Sequence, residues 1–229
     1  MKISGLMKMT LLDFPGQVAC TVFLAGCNFR CPFCHNGSLV RGGEVEISRE
    51  ELLTFLKKRQ GVLDGVCITG GEPLMNREVA DLAREIKSLG YLVKLDTNGS
   101  YPERLGEMLS SGLVDYVAMD IKNSPEGYQK ACGAQIDIEN IKKSIEIIKS
   151  SGVRHEFRTT VVKGIHTAAD ISECAEWIGE GERYFLQSYK VSDDIIAPDG
   201  LSAFSDGELK EILGQAKKFN SATELRGVE

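Results

Sequence analysis

With 229 residues, 42% of them hydrophobic and 26% charged, the chain has the composition of a folded globular protein large enough for one α/β core. Its formal net charge of −6 argues against a phosphate-backbone partner, and no apolar run approaches the roughly 20 residues of a membrane-spanning helix. Residues 1–16 lack the apolar stretch and small-residue cleavage site of a secretory signal, so a cytoplasmic protein is expected, its seven cysteines free thiols or metal ligands.

Short apolar runs of strand type alternate along the chain with longer stretches of helical period. In order, the expected elements are a strand at 18–24, a helix at 48–59, a strand at 65–68, a helix at 77–89 and a strand at 92–95. A helix at 102–110, a strand at 116–119, a helix at 138–150, a strand at 156–162, a helix at 168–178, a strand at 184–187 and a last helix at 205–218 follow. Ser48 with Glu51 and Ser205 with Glu208 have the spacing of capping boxes, and Gly90, Gly112 and Gly152 stand where helices end. Six strand-helix units imply parallel strands joined by right-handed crossovers. The expected fold class is therefore α/β, a partial (β/α)6 TIM-type barrel short of eightfold closure. No linker or repeat interrupts it, so one domain over 1–229 is expected, with an extension at 1–17, a barrel at about 18–218 and an extension at 219–229.

In parallel α/β folds ligands sit at the carboxyl ends of the strands, and the chemically rich segments fall there. After the first strand, Cys27, Cys31 and Cys34 place three thiols in one short loop. Three thiolates do not complete a tetrahedral zinc site, and His35 would strain to reach the metal held by its neighbour Cys34. A 4Fe-4S cluster with three cysteine ligands leaves one iron open to an exogenous ligand; a zinc knuckle or buried thiols is the plainer alternative. After the second strand, Thr69-Gly70-Gly71-Glu72-Pro73 pairs two glycines that let backbone approach a ligand closely, although a plain turn would look the same. Asp96-Thr97-Asn98-Gly99 ends the third strand, where Asp96 could equally be a cap, and Asp120-Ile121-Lys122 ends the fourth. Asp120 and Lys122 share a strand face, suited to an ammonium and a carboxylate respectively. Arg158 on the fifth strand either points towards a bound cofactor or peptide or forms a salt bridge across the barrel. His155 and His166 read as exposed or satisfied residues, and Cys20 and Cys67 as small core hydrophobes.

The Cys-x-x-x-Cys-x-x-Cys run, with Phe33 before its last cysteine, resembles the radical S-adenosylmethionine superfamily. The resemblance implies an enzyme in which one 4Fe-4S cluster on Cys27, Cys31 and Cys34 reductively cleaves S-adenosylmethionine to methionine and a 5'-deoxyadenosyl radical. It implies cofactor contacts from Phe33, His35, Gly70, Gly71, Glu72, Asp96, Asn98, Asp120 and Lys122, and from Gln187, which stands where some members carry a histidine; Arg158 joins them if it points towards the cofactor. The Cys34-His35-Asn36, Asp96-Thr97-Asn98-Gly99 and Asp120-Ile121-Lys122 segments are similar to those of glycyl-radical-enzyme activating enzymes. The opening Gly5 to Gly16 resembles activating proteins of anaerobic ribonucleoside-triphosphate reductase. The implied partners are a glycyl-radical enzyme, that reductase above all, and a reduced flavodoxin or ferredoxin as electron donor, with neither nucleic acid nor membrane. The rival readings are an activator of the pyruvate formate-lyase type, a small-molecule enzyme of the carboxy-deazaguanine synthase type, and a non-catalytic metal-binding module.

Overall fold

The computed structural model describes residues 1–43 and 47–227. Its strands are β1 (Ile3–Thr10), β2 (Ala19–Leu24), β3 (Gly65–Gly70), β4 (Leu92–Thr97), β5 (Tyr116–Asp120), β6 (Arg154–Val161), β7 (Tyr184–Ser188) and β8 (Thr223–Arg226). The helices are α1 (Gly37–Val40), α2 (Arg49–Lys57), α3 (Val79–Ser88), α4 (Pro102–Ser110), α5 (Tyr128–Cys132), α6 (Ile138–Ser150), α7 (Ala168–Ile178) and α8 (Asp206–Ala216). The eight strands follow chain order in one open, mostly parallel sheet, β1 and β8 first and last. The α/β expectation holds, with two strands more than the six expected: residues 1–17 contain β1 and residues 219–227 contain β8. Two short helices, α1 and α5, were also not anticipated, since four or five residues carry too little of a helical period to read.

Contacts divide the chain into two compact units, Met1–Asn28 with Ser38–Ala118 and Asn140–Arg154, and Phe29–Gly37 with Met119–Glu139 and His155–Glu229. In the first, β1 runs antiparallel to β2 from Ile3 opposite Leu24 to Thr10 opposite Ala19. β2, β3 and β4 are parallel, pairing Ala19 with Gly65 and Gly65 with Leu92. Their residues are buried almost without alternation, as in parallel strands covered on both faces. Helical spacing supplies the cover: Leu52 and Leu56 of α2, Val79, Leu82 and Ile86 of α3, and Leu105, Met108 and Leu109 of α4 are buried. Each buried Leu or Ile contributes about 1.5–3 kcal/mol. In the second unit β6, β7 and β8 are parallel, with Phe157 beside Tyr184 and Tyr184 beside Thr223.

The capping boxes at Ser48 and Ser205 form as expected, and Thr167 with Asp170 makes a third before α7. Gly90, Gly112 and Gly152 follow α3, α4 and α6 with φ of 89°, 65° and 72°. The unanticipated β8 is held by a buried carboxylate: Arg226 donates to both oxygens of Glu156 at 2.8 and 2.7 Å, and its guanidinium lies over the Phe185 ring.

Candidate functional site

In the first unit the carboxyl ends of β2, β3 and β4 carry Gly26-Cys27-Asn28, Gly70-Gly71-Glu72 and Asp96 to Ser100. The glycine pair is required by backbone meeting backbone. A Cβ on Gly71 would fall 2.0 Å from the Gly26 carbonyl oxygen, and one on Gly70, at φ 126°, 2.2 Å from that of Leu24. Two bonds hold this approach, Gly71 N–H to Leu24 O at 2.9 Å and Glu72 N–H to Gly26 O at 2.8 Å. The glycines thus fasten the Cys27 turn to the end of β3.

Glu72 is fully buried, and its carboxylate acts as a brace. One oxygen accepts from Leu74 N–H and the Thr97 hydroxyl, both at 2.9 Å, and the other from Asn98 N–H at 2.6 Å. Asn98, so placed, donates from its amide to Asn28 Oδ1 at 3.0 Å and approaches Cys27 Sγ at 3.9 Å. Asp96 caps no helix. It accepts from Lys94 and, at 3.3 Å, from Thr69.

In the second unit Cys31, Phe33, Cys34 and His35 lie in a loop pinned by backbone bonds. Arg30 N–H donates to Cys132 O at 2.8 Å, Ala197 N–H to Pro32 O at 3.0 Å, Gly37 N–H to Asp194 O at 3.0 Å and Cys34 N–H to Cys31 O at 3.0 Å. At the carboxyl end of β5, Asp120 receives Arg158 Nε on one oxygen at 2.9 Å and Lys122 Nζ on the other at 3.1 Å. Burial would raise the Asp120 pKa, but Arg158 and Lys122 prevail and hold it well below the usual carboxylate range. Burial would likewise lower that of Lys122, yet Asp120, with Cys31 and Cys34, holds it above the usual range for lysine. Arg158 is therefore an ion-pair partner of Asp120. His35, exposed, turns its ring to Tyr189 at 5.6 Å, and Gln187, one residue before the end of β7, is half-buried and in register with Arg226.

His166 is a satisfied core residue. Its Nε2–H donates to the Lys122 carbonyl at 2.8 Å, leaving Nδ1 to accept from Val162 N–H at 3.0 Å, and its ring packs edge-on against Phe33. Burial lowers its pKa, more than offsetting the groups that raise it. The neutral ring is the folded form, so its contribution to stability is present above the ordinary value of about 6.5 and lost as pH falls below it. Urea titrations of iron-free protein between about pH 5 and 8 are expected to show this decline, and His166→Asn to flatten it; an unchanged slope in the variant would refute the assignment.

The donor chemistry of the three cysteine side chains fits an iron-sulfur cluster. Cys27 and Cys34 are half-buried and Cys31 buried, all are free of disulfides, and Lys122 exerts its positive charge on Cys31 and Cys34. Among the described residues no three His, Cys, Asp or Glu side chains form a group for a single metal ion. Burial pushes the Cys20 thiol up to about 12 and raises Cys132 and Cys174. Cys67 is fully buried in the core as expected, and its sulfur also lies 3.8 Å from both Lys94 Nζ and Asp96 Oδ1. Sequence reasoning passed over Lys94. The signal was there, a lysine inside the apolar run Leu92 to Leu95, because lysine is almost never buried without a partner.

A family model described as the Radical SAM superfamily matches residues 21–178. The chain belongs to the radical SAM superfamily. It is 31% identical, over 99% of its own length and 96% of the other's, to a Methanocaldococcus jannaschii protein assigned as a glycyl-radical enzyme activating enzyme. It is 32% identical to the pyruvate formate-lyase-activating enzyme of Clostridium pasteurianum, over 70% of this chain and 68% of that one. Among solved structures, Streptococcus suis SuiB bound to S-adenosylmethionine has a similar fold, with a TM-score of 0.67 at 12% identity over 90% of this chain and 52% of that one. The protein is thus a radical SAM enzyme with the partial α/β barrel of that superfamily, and it uses a 4Fe-4S cluster and S-adenosylmethionine. No helix among the described residues is long and apolar enough to cross a membrane.

Proposed function

We propose that this radical SAM enzyme activates a glycyl-radical enzyme by removing an α-hydrogen from one glycine of that partner, and that the partner is anaerobic ribonucleoside-triphosphate reductase. The observation that carries the activating role is the similarity, over nearly the full length of both chains, to the M. jannaschii protein assigned that role. The choice of reductase rests on Gly5 to Gly16 and on Phe23-Leu24-Ala25-Gly26 before Cys27. When bound, the cluster and S-adenosylmethionine supply the hydrogen-abstracting radical, with a reduced flavodoxin or ferredoxin as electron donor.

The chain's own part is holding, orienting and excluding water. Cys27, Cys31 and Cys34 are the cluster ligands in this reading, three thiolates from one loop that leave an iron open to the cofactor. Asp120 is a carboxylate suited to the methionyl ammonium and Lys122 the cation suited to its carboxylate, and Asp96 is a further cofactor contact in this reading. Arg158 holds Asp120 ionised while Lys122 turns to the ligand. A glycine suits the reaction because it has no side chain to bar approach.

A partly desolvated charged contact contributes about 1.5–3 kcal/mol, so Lys122→Met is expected to weaken S-adenosylmethionine binding at least about tenfold with iron content retained. Unchanged affinity would leave Lys122 a partner of Asp120 alone. The function itself is tested by incubating reduced, cluster-loaded protein and S-adenosylmethionine with candidate glycyl-radical enzymes. The expected result is an electron-spin resonance doublet on the reductase. Formation of 5'-deoxyadenosine with no protein radical on any candidate would overturn the proposal in favour of a small-molecule substrate.

A further inference from the structure

Past the end of β5 the chain is fastened by side chains, and one of them is a buried imidazole that the reading above does not use. β5 ends at Asp120, and Ile121 N–H, donating to the Arg158 carbonyl at 2.8 Å, carries the pairing one residue further. From there the Thr159 hydroxyl donates to the Ile121 carbonyl at 2.7 Å, and His166 Nε2–H to the Lys122 carbonyl at 2.8 Å. All of these residues belong to the second unit.

His166 is 4% exposed, and its other nitrogen is fixed as well, because Nδ1 accepts from Val162 N–H at 3.0 Å. Val162 is the first residue past β6, and its turn is closed without the ring. Ile165 N–H and His166 N–H both donate to the Val162 carbonyl, at 3.2 and 2.9 Å. The imidazole is therefore not needed to make its own turn; what it adds is a bridge from the end of β6 to the peptide of Lys122. A neutral ring has one donor and one acceptor nitrogen, and this bridge uses both.

The four-carbon stem of a lysine is flexible, so the reach of its ammonium is set by where the stem is rooted. Lys122 stands two residues beyond β5, and a root free to move would add an ordering cost when the ammonium leaves Asp120 for a ligand. His166 removes that freedom at the Lys122 carbonyl.

We infer that His166 is a positioning residue for cofactor binding: by holding the Lys122 peptide it roots the ammonium that meets the carboxylate of S-adenosylmethionine. This rests on the reading of Lys122 as the carboxylate contact. His166 itself touches no ligand, so its effect passes through Lys122, and that dependence is measurable.

The test is a double-mutant cycle on cluster-loaded protein, reading the dissociation constant for S-adenosylmethionine by anaerobic equilibrium dialysis, with iron content and circular dichroism measured alongside. His166→Asn keeps an oxygen within reach of Val162 N–H but carries no donor as far out as Nε2, whereas His166→Gln is long enough to offer Lys122 one. His166→Asn is expected to weaken binding about fivefold or more on its own, and less than about twofold when added to Lys122→Met. His166→Gln is expected to stay within about twofold of the wild type. Equal weakening by His166→Asn in both backgrounds would show general structural damage and overturn the inference, as would unchanged affinity in His166→Asn alone. A loss in His166→Gln as large as in His166→Asn would also overturn it, placing the effect in the ring's packing against Phe33. Unchanged affinity in Lys122→Met would instead remove the reading of Lys122 itself, and this inference with it. Should His166→Asn not fold, His166→Leu, which offers neither donor nor acceptor, takes its place in the cycle. If neither variant folds in either background, the histidine is structural and the inference falls.

Discussion

Replacing Cys31 with alanine is expected to prevent assembly of an intact cluster and to abolish cleavage of S-adenosylmethionine. The loop offers three thiols, and a cluster deprived of one protein ligand has no substitute within reach of the chain's ordinary chemistry. Cys20, Cys132 and Cys174 are poor candidates, because burial pushes Cys20 up to about 12 and raises the other two. Cys132→Ala is the matched control, because it removes a buried thiol whose backbone carbonyl, which accepts from Arg30 N–H, is left in place. Anaerobic reconstitution followed by iron analysis should find about four irons per chain in the wild type and in Cys132→Ala, and an incomplete cluster in Cys31→Ala. Full iron in Cys31→Ala, or stoichiometric zinc in the wild type, would sink the ligand assignment.

Glu72→Ala is expected to be the most damaging single change outside the cysteines, and to act through stability. The carboxylate is fully buried and accepts from Leu74 N–H, the Thr97 hydroxyl and Asn98 N–H. Truncation leaves two backbone donors and one hydroxyl without it in a buried place. At about 1–3 kcal/mol for each unsatisfied buried group, the loss is about 3 kcal/mol or more, a large part of the 5–15 kcal/mol typical of a folded domain. Glu72→Gln should cost less but still weaken the site, because its amide group must face one of those donors. The consequence for function is that Asn98, the partner of Asn28 beside Cys27, loses its anchor. Urea unfolding of the iron-free protein measures the effect; a change below about 1 kcal/mol in Glu72→Ala would mean that the brace is not what holds these two turns.

How much of this was legible beforehand depends on how far apart in the chain the interacting groups lie. The capping boxes at Ser48 and Ser205 join residues three apart, so their formation follows from local geometry, and the helices they start were placed correctly. The cysteine spacing is local in the same sense: three thiols in one loop define a donor set before any fold exists, and the superfamily follows from it. Strand against helix was likewise readable from period, because buried parallel strands leave unbroken apolar runs. β1 and β8 escaped because edge strands need no unbroken apolar run: Ser4, Gly5 and Lys8 interrupt β1, and β8 gains its place from Arg226 pairing with Glu156.

The site's supports were decided only in three dimensions. Gly70 and Gly71 read as a place for a ligand, yet what fixes them is the close approach of the Leu24 and Gly26 carbonyls, more than forty residues back in the chain. Glu72 read as a contact, and the fold adds a bracing role, because its carboxylate accepts from β4 and the turn after it. His166 read as exposed or satisfied, and only the fold shows it bonded to the Lys122 carbonyl. Lys94 had no reading at all, since a lysine in an apolar strand has no meaning until register sets it beside Cys67 and alternation sets it beneath Asp96. By itself the sequence determined which chemistry the protein carries, because metal ligands and caps are specified within a few residues. Tertiary structure decided how each group is held and charged, because burial and ion pairing depend on which strands become neighbours.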